Sequence, residues 1–440
     1  MKETDPAKKG SRIGIKALII VAISLALLIP VGMLQSIVNE RQKLAEEVKE
    51  DIARGAGGRL ILAGPFIVVP VTEVLRNGII EEHDAIILPK RLESKADTKT
   101  ELRSRGIYTC PVLSADITMA ADFDIQVDAL HTLWTGTTTV HLDRARLILE
   151  IPNPRALAGT PRLEVNGTSL AMSTEISPLR YASAAMGSSL ALKEGALELS
   201  LSMSSTGGAF IGVWPLADSF ELAISGDWPN PSFSGESSPV ERSVEEYGFG
   251  ARWYQAAGTS RWPTVFDAAT NRHQMGYSDT QVLGVDFFDP VGIYHKSERA
   301  LKYAILFIIM PFIAIFLFEI FTRRRLHPIQ YALVGLADVV FYALLLSLSE
   351  HIGFTAAYLS SALAVLGLIV FYASSVLGSL RRGLALAPLL ALLYGYLFAA
   401  LQSRDYALLF GSIGVFVILA SIMVITRKVD WYKTGNTNLD

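Results

Sequence analysis

Ala17-Leu-Ile-Ile-Val-Ala-Ile-Ser-Leu-Ala-Leu-Leu-Ile-Pro-Val-Gly-Met-Leu-Gln-Ser-Ile-Val38 runs for 22 residues without a charge, and Asn39-Glu-Arg-Gln-Lys-Leu-Ala-Glu-Glu-Val-Lys-Glu-Asp-Ile-Ala-Arg54 follows at once. A bilayer core about 30 Å thick takes roughly 20 apolar residues as a helix, so the first stretch can cross it and the second is too charged to follow. The apolar run is too long for the core of a secretory leader and no small-residue cleavage site comes after it, so residues 17–38 read as a retained anchor. Beyond it Ile37, Leu44, Val48 and Ile52 recur at helical spacing and Gly55 offers a stop. That spacing predicts a helical extension over residues 39–54.

Five more stretches qualify as spans: Tyr303–Thr322, Ile329–Ser349, Ile352–Leu380, Gly383–Ser403 and Tyr406–Thr426, with Glu319 and Asp338 as their only charges. They explain a composition that is 51% apolar and only 18% charged in 440 residues, with a mean hydropathy of +0.37. Soluble globules carry about a quarter charged residues. The net charge of −3 conceals a division. Residues 39–298 hold 34 acids against 23 bases, and the remainder holds 8 acids against 16 bases. An acidic outer part on a basic membrane part excludes nucleic-acid binding as a main role, since that needs a concentrated basic face. Cys110 is the single cysteine, which excludes a disulfide-stapled fold.

Basic residues set the orientation. Lys2, Lys8, Lys9, Arg12 and Lys16 precede the first span; Arg323–Arg325, Arg381–Arg382 and Arg427, Lys428 and Lys433 fall on the same side if the chain crosses six times. The opposite short loops, around Ser349–His351 and Gln402–Asp405, contribute only Arg404. The expectation is a membrane protein of six transmembrane α-helices, one N-terminal and five C-terminal, with a large all-β periplasmic domain inserted between the first and second. Its parts are a cytoplasmic tail (1–16), helix 1 (17–38), the outer domain (39–298), the five-helix block (299–426) and a second cytoplasmic tail (427–440). Within the outer domain the pattern changes at Leu60 to short runs rich in Val, Ile, Thr and aromatics, and Ala196–Met203 alternates as a half-exposed strand does. Asn77-Gly78, Asn166-Gly167 and Gly207-Gly208 sit between such runs as hairpin signals. Gly, Ser and Pro thicken over Asp227–Pro239, the best place for a seam.

The chain has no dinucleotide or phosphate loop, no His-Glu-x-x-His and no Gly-x-Ser-x-Gly. Glu81-Glu82-His83-Asp84 gathers metal-ligating residue types, but a solvated strand of an acidic domain is the preferred reading; the histidines at 83, 131, 141, 273 and 295 show no short metal spacing. Asp122/Asp124 and Asp286/Asp289 read as acid–base or calcium pairs or, preferably, as exposed strand faces. In the membrane, Asp338 lies near the middle of its span, where a carboxylate costs about 3 kcal/mol to insert. Proton or ion handling is one reading and a helix–helix hydrogen bond is the preferred other. Glu319 suits an interfacial ion pair with Arg323–Arg325. Glu350 and His351, at the outer end of the third span, suit a hydrogen-bond cap in a short loop better than the lining of an outward cavity. Pro30, Pro311 and Pro388 are expected to kink their helices. No catalytic, cofactor-binding or metal-binding residue is assigned.

Taken in order, several segments resemble one family. They are Ala63-Gly-Pro-Phe-Ile-Val-Val-Pro-Val-Thr-Glu73, Arg105-Gly-Ile-Tyr-Thr109, Val165-Asn-Gly-Thr168, Ser225-Gly-Asp-Trp-Pro-Asn-Pro-Ser-Phe-Ser-Gly235, Arg299-Ala-Leu-Lys-Tyr-Ala-Ile-Leu-Phe307, Leu326-His-Pro-Ile-Gln-Tyr-Ala-Leu-Val-Gly-Leu336, Phe341–Phe354 and Arg427-Lys-Val-Asp-Trp-Tyr432. The chain is similar to the CreD family of bacterial inner-membrane proteins from the first span onward. The resemblance implies an envelope-integrity protein under a two-component system linked to carbon source and envelope stress, associated with tolerance of colicins and β-lactams, with no established activity, catalytic residue or cofactor to carry over. Met310-Pro311 and Asp338 depart from the family's pattern, which has a Leu-Thr pair and more often an apolar residue there.

The expected function is therefore non-enzymatic binding or scaffolding by the outer β domain. Its partners are the lipid bilayer and an unidentified periplasmic protein, membrane protein or envelope component. The alternative is a transporter or flippase-like protein in which the five-helix block moves a lipid, a wall precursor or an ion; few polar residues and no inverted repeat speak against it. A membrane-embedded enzyme ranks third.

Overall fold

The computed structural model describes residues 7–151, 153–176, 178–179, 185–271, 279–287, 293–322, 326–376 and 378–402, with isolated positions between 409 and 424. The chain divides into two compact units, Ala45–Pro290 and Met1–Leu44 with Val291–Asp440. The long first helix, α1 (Ala7–Gly55), includes the expected extension. It ends where Gly58 N–H donates to the Ala53 carbonyl at 2.8 Å, with Gly57 and Gly58 at φ of +122° and +75°. A Cβ on Gly57 would stand 2.6 Å from that of Ala156, so this exit is closed to other residues by contact as well as by backbone angle.

The Ala45–Pro290 unit is built on two sheets whose inner faces share one core. The ten-stranded sheet runs Pro231–Ser234, Leu283–Phe287, Phe210–Trp214, Leu60–Val74, Ala145–Glu150, Ala185–Leu190, Ser173–Glu175; Ile80–Ile87 and Thr137–Val140 also pair with Leu60–Val74, and Val265–Asp267 with Ile80–Ile87. The eight-stranded sheet runs Glu241–Glu245, Gly248–Gln255, Ser219–Gly226, Arg91–Arg105, Tyr108–Ile125, Gly195–Gly207, Arg162–Val165, Thr168–Leu170. Two short helices, α2 (Val127–His131) and α3 (Ala268–Asn271), interrupt the strands. Leu60–Val74 is an almost unbroken apolar run because both its faces are covered. Leu62, Ile67 and Val69 face the shared core, while Ile61, Phe66 and Val68 join a second cluster with Phe210, Trp214 and Phe266. Gly195–Gly207 alternates as expected, with Leu197, Leu199, Leu201 and Met203 buried and Glu198 and Ser200 exposed.

Asn77-Gly78 closes the hairpin between Leu60–Val74 and Ile80–Ile87, and Asn166-Gly167 turns with φ of +48° and +76°, the both-positive pattern of a type I′ turn. Gly207-Gly208 makes no hairpin: Gly195–Gly207 belongs to the eight-stranded sheet and Phe210–Trp214 to the ten-stranded one. Gly208 is needed there for approach to α1, since a Cβ on it would lie 2.7 Å from the Ala53 Cβ, while a Cβ on Gly207 would crowd Leu60 at 3.1 Å. Asp227–Pro239 is likewise no seam. It leaves one sheet, adds Pro231–Ser234 to the edge of the other and returns, so it ties the layers together. The longest hairpin, Arg91–Arg105 with Tyr108–Ile125, turns on Gly106-Ile107, with Gly106 at φ +64°.

The other unit holds α4 (Ile293–Lys302), α5 (Ala304–Thr322), α6 (Pro328–Ile352), α7 (Phe354–Val376), α8 (Leu380–Leu384) and α9 (Ala387–Gln402). Among the described residues four helices are long and apolar enough to cross a membrane: Leu18–Gly55, Pro328–Ile352, Phe354–Val376 and Leu380–Gln402. The second expected span is the 19-residue α5, and the sixth, Tyr406–Thr426, falls largely outside the described residues. Gly353, at φ +76°, is the whole connection between α6 and α7, so Ser349–His351 is the last helical turn of α6 and not a loop. Pro388 stands in the first turn of α9, where its missing N–H costs no hydrogen bond, so it starts a helix where a kink was expected. Pro30 and Pro311 are interior to α1 and α5. His327 caps α6: its ring accepts from Ile329 N–H, its own N–H donates to Gln330, and Pro328 takes the first helical position. Gly335 lets α6 close on Leu27 of α1 and Phe312 of α5, because a Cβ there would fall 2.3 and 2.6 Å from their side chains.

Candidate functional site

Three groups of polar side chains stand out, two in the helix unit and one in the β unit. On α6, Asp338 is 1% exposed. Its Oδ1 accepts from the Tyr394 hydroxyl of α9 at 3.0 Å, while Oδ2, the Tyr342 hydroxyl and Ser361 Oγ have no partner among the described residues. Tyr358 of α7 donates to the Tyr394 carbonyl at 2.7 Å, and Phe341 lies edge-on to Tyr394 and Tyr358. One carboxyl and three phenols thus join α6, α7 and α9 in otherwise apolar packing. Such a set can lock helices together or exchange a proton among its members.

At one end of this unit Lys16 of α1 pairs with Glu319 of α5 and donates to the Leu326 carbonyl at 2.6 Å, and Tyr331 of α6 donates to Glu319 at 2.8 Å. Arg323–Arg325, expected as the partners of Glu319, lie outside the described residues. Glu350 accepts from the Tyr294 hydroxyl of α4 at 3.0 Å, whereas His351 is exposed. The two neighbours are therefore not brought together on one group.

In the β unit, strand register assembles what the sequence separates. Glu73 pairs directly with Glu81 across the first hairpin, and His83, two residues on, shares their face. His83 Nε2 lies 3.2 Å from Glu73 Oε2 and 3.7 Å from Glu81 Oε2. Glu73 is 3% exposed; its other oxygen accepts from Gly136 N–H at 2.7 Å, and the His83 ring stacks on Trp134 at 5.0 Å. These three residues could hold a metal ion. The preferred reading of Glu81–Asp84 as a solvated strand describes Glu81 and Glu82 but misses the inward turn of His83 and its partner Glu73. The hairpin also borders a groove of about 740 Å³ whose lining includes Thr72, Glu82, His83, Asp84, His141, Arg144 and Arg146.

The remaining candidate carboxylates and histidines that are described make ordinary surface contacts. Lys90 and Gln126 donate to Asp124 at 2.5 and 2.7 Å and hold its carboxyl below the usual range, and Lys95 does the same for Glu93. Asp122 is exposed, Asp286 faces Arg59 at 3.5 Å, and Asp289 and His273 lie outside the described residues. His131 and His141 contact Thr138 and Thr72. Burial pushes the Cys110 thiol up, away from the reactive thiolate.

Residues 12–432 match the family model described as inner membrane protein CreD. The chain belongs to the CreD family. It is 33% identical over 423 residues to the inner membrane protein CreD of Escherichia coli (strain K12), a match covering 93% of this chain and 91% of that one. As a CreD-family inner membrane protein it contacts the lipid bilayer, and the four long apolar helices among the described residues are fitted to do so.

Proposed function

We propose that this CreD-family protein crosses the inner membrane six times with both termini in the cytoplasm, carries residues 39–298 in the periplasm, and supports envelope integrity under stress by non-enzymatic binding or scaffolding through its β domain. The basic flanks of the apolar runs support the orientation. The observation that carries the binding reading is the free edge of the eight-stranded sheet. There Glu241–Glu245 pairs on one side with Gly248–Gln255 and has no strand on the other among the described residues. Proteins usually blunt such an edge with charge, prolines or bulges, because its open backbone groups accept another strand. This edge has charged residues but also Val240 and Val244, 63% and 52% exposed, with Tyr247 and Tyr254 exposed beside it. An extended segment of a partner can add there by main-chain hydrogen bonds, with those apolar side chains as its contacts.

The test is Val244→Lys in the full-length protein, expressed in cells lacking the native copy, with leakage of a periplasmic enzyme as readout. An exposed edge position tolerates lysine with little change in stability, so the expected outcome is normal protein level with leakage approaching that of the deletion strain. Full rescue by Val244→Lys would remove the edge from the account.

A further inference from the structure

We propose that Glu73, Glu81 and His83 form a binding site for a first-row transition dication of the zinc class. Adjacent antiparallel strands deliver the three side chains to one face in fixed register: Glu73 opposite Glu81, and His83 two residues beyond. Ligand bonds of about 2.0–2.1 Å in tetrahedral geometry place neighbouring donor atoms about 3.3 Å apart. The imidazole nitrogen lies 3.2 and 3.7 Å from the two carboxylate oxygens, and all three donors are within 4.8 Å of one another. Glu81 is half exposed, and its side chain can close the remaining gap without moving the strands.

The site has built supports behind its ligands, the usual means of fixing a metal ligand's direction. Gly136 N–H holds the far oxygen of Glu73 and leaves the near one aimed at His83. Only glycine fits at 136, since a Cβ would lie 2.7 Å from Glu73 Cγ and Oε1. Trp134, two residues earlier, stacks on the imidazole and limits its rotation. Charge points the same way. Among the described residues no lysine or arginine pairs with Glu73 or Glu81, so two carboxylates, one of them almost fully buried, converge on a single imidazole. A dication neutralises both, whereas a protonated imidazole leaves one charge uncompensated in a buried place. One imidazole with two carboxylates suits zinc and its neighbours; calcium prefers six to eight oxygens and no nitrogen. Three protein ligands leave a fourth position for water. Binding there cross-links the first hairpin close to its turn.

The experiment uses the full-length protein in detergent, freed of any polyhistidine tag and stripped with chelator, then titrated with zinc against a chromophoric zinc indicator. Wild type and Glu82→Gln, whose side chain is on the opposite face, should each bind one zinc per chain. His83→Gln and Glu81→Gln should weaken binding by more than the about 10–100-fold that loss of an outer supporting group costs. Cobalt should give the visible bands of a tetrahedral ion in wild type and not in His83→Gln. The metal-free variants should melt with metal-free wild type, which separates loss of a ligand from loss of fold. No stoichiometric zinc in wild type, or equal binding by wild type, His83→Gln and Glu81→Gln, would overturn the proposal.

Discussion

Glu73 in the β unit and Asp338 in the helix unit are both buried carboxylates, 3% and 1% exposed, yet their surroundings differ in kind. Each oxygen of Glu73 has a partner, one from the backbone of Gly136 and one from the His83 ring. Asp338 has the Tyr394 hydroxyl on one oxygen and nothing among the described residues on the other. Sheet strands and the loops beside them offer unused N–H groups and place side chains by register, so a buried acid there can be surrounded. Helices in apolar surroundings have satisfied their backbone groups internally, and only side chains of neighbouring helices can answer. Glu73 is therefore met by backbone and ring together, whereas among the described residues Asp338 is the one buried carboxylate of the helix unit and is met by a single side chain.

The largest effect should come from attacking the packing. Leu62→Ala, at 0% exposure in the sheet-on-sheet core, should lower the stability of the β unit by about 2–5 kcal/mol in denaturant unfolding. Leu363→Ala on α7, at 70% exposure on the apolar outer face of its helix, should stay within about 0.5 kcal/mol. Equal losses at the two sites would show that Leu363 is packed as tightly as Leu62. Next come the glycines that let elements touch. Gly208→Ala against Ala53 in the β unit and Gly335→Ala against Leu27 and Phe312 in the helix unit should each cost about 1–3 kcal/mol through overpacking, measured as lowered melting temperature.

The buried acids sharpen the comparison further. Tyr394→Phe removes the one donor to Asp338 among the described residues and should destabilise the detergent-solubilised protein by about 1–3 kcal/mol. Asp338→Asn keeps an acceptor for Tyr394 and should leave both stability and envelope function near wild type at every pH tested. A pH-dependent loss of function in Asp338→Asn would make the helix unit a proton-handling device. The smallest effect belongs to the surface. Asp124 and Glu93 have carboxyl pKa values lowered by their lysine neighbours, so their contribution is present above the unfolded values of about 4 and disappears as pH falls through the folded ones. Asp124→Asn should therefore give a slight loss at neutral pH that salt screens and acid abolishes.

Much of this fold was legible in the sequence for simple reasons. A charge-free run of 22 residues admits few structures, and Asn-Gly at 77–78 and 166–167 supplies the positive-φ residues that tight turns require. Gly207-Gly208 misled because glycine permits close approach as readily as it permits a turn, and composition does not distinguish the two. Glu350 and His351 read as loop residues in sequence but end a helix, because the one-residue connection at Gly353 leaves no polar stretch to mark it. The Glu81-x-His83 half of the metal site is visible as two ligating residues on one strand face. Its other half follows only if the hairpin is closed at Asn77-Gly78 and the register counted back to Glu73. Gly136 and Trp134, more than 60 residues from Glu73, and Tyr394, 56 residues from Asp338, carry no local signal at all.

The proposal that the β unit supports envelope integrity while the helices hold it at the membrane predicts rescue by residues 1–290, which retain α1 and the whole Ala45–Pro290 unit. Cells lacking the protein would receive either this truncation or the full chain, with export and protease resistance of the truncation verified first. Leakage of a periplasmic enzyme under envelope stress is the readout. Rescue by the truncation should come close to that of the full chain. Failure of a folded, exported truncation would contradict the proposal and move the function into the helix unit, with Asp338 at its centre.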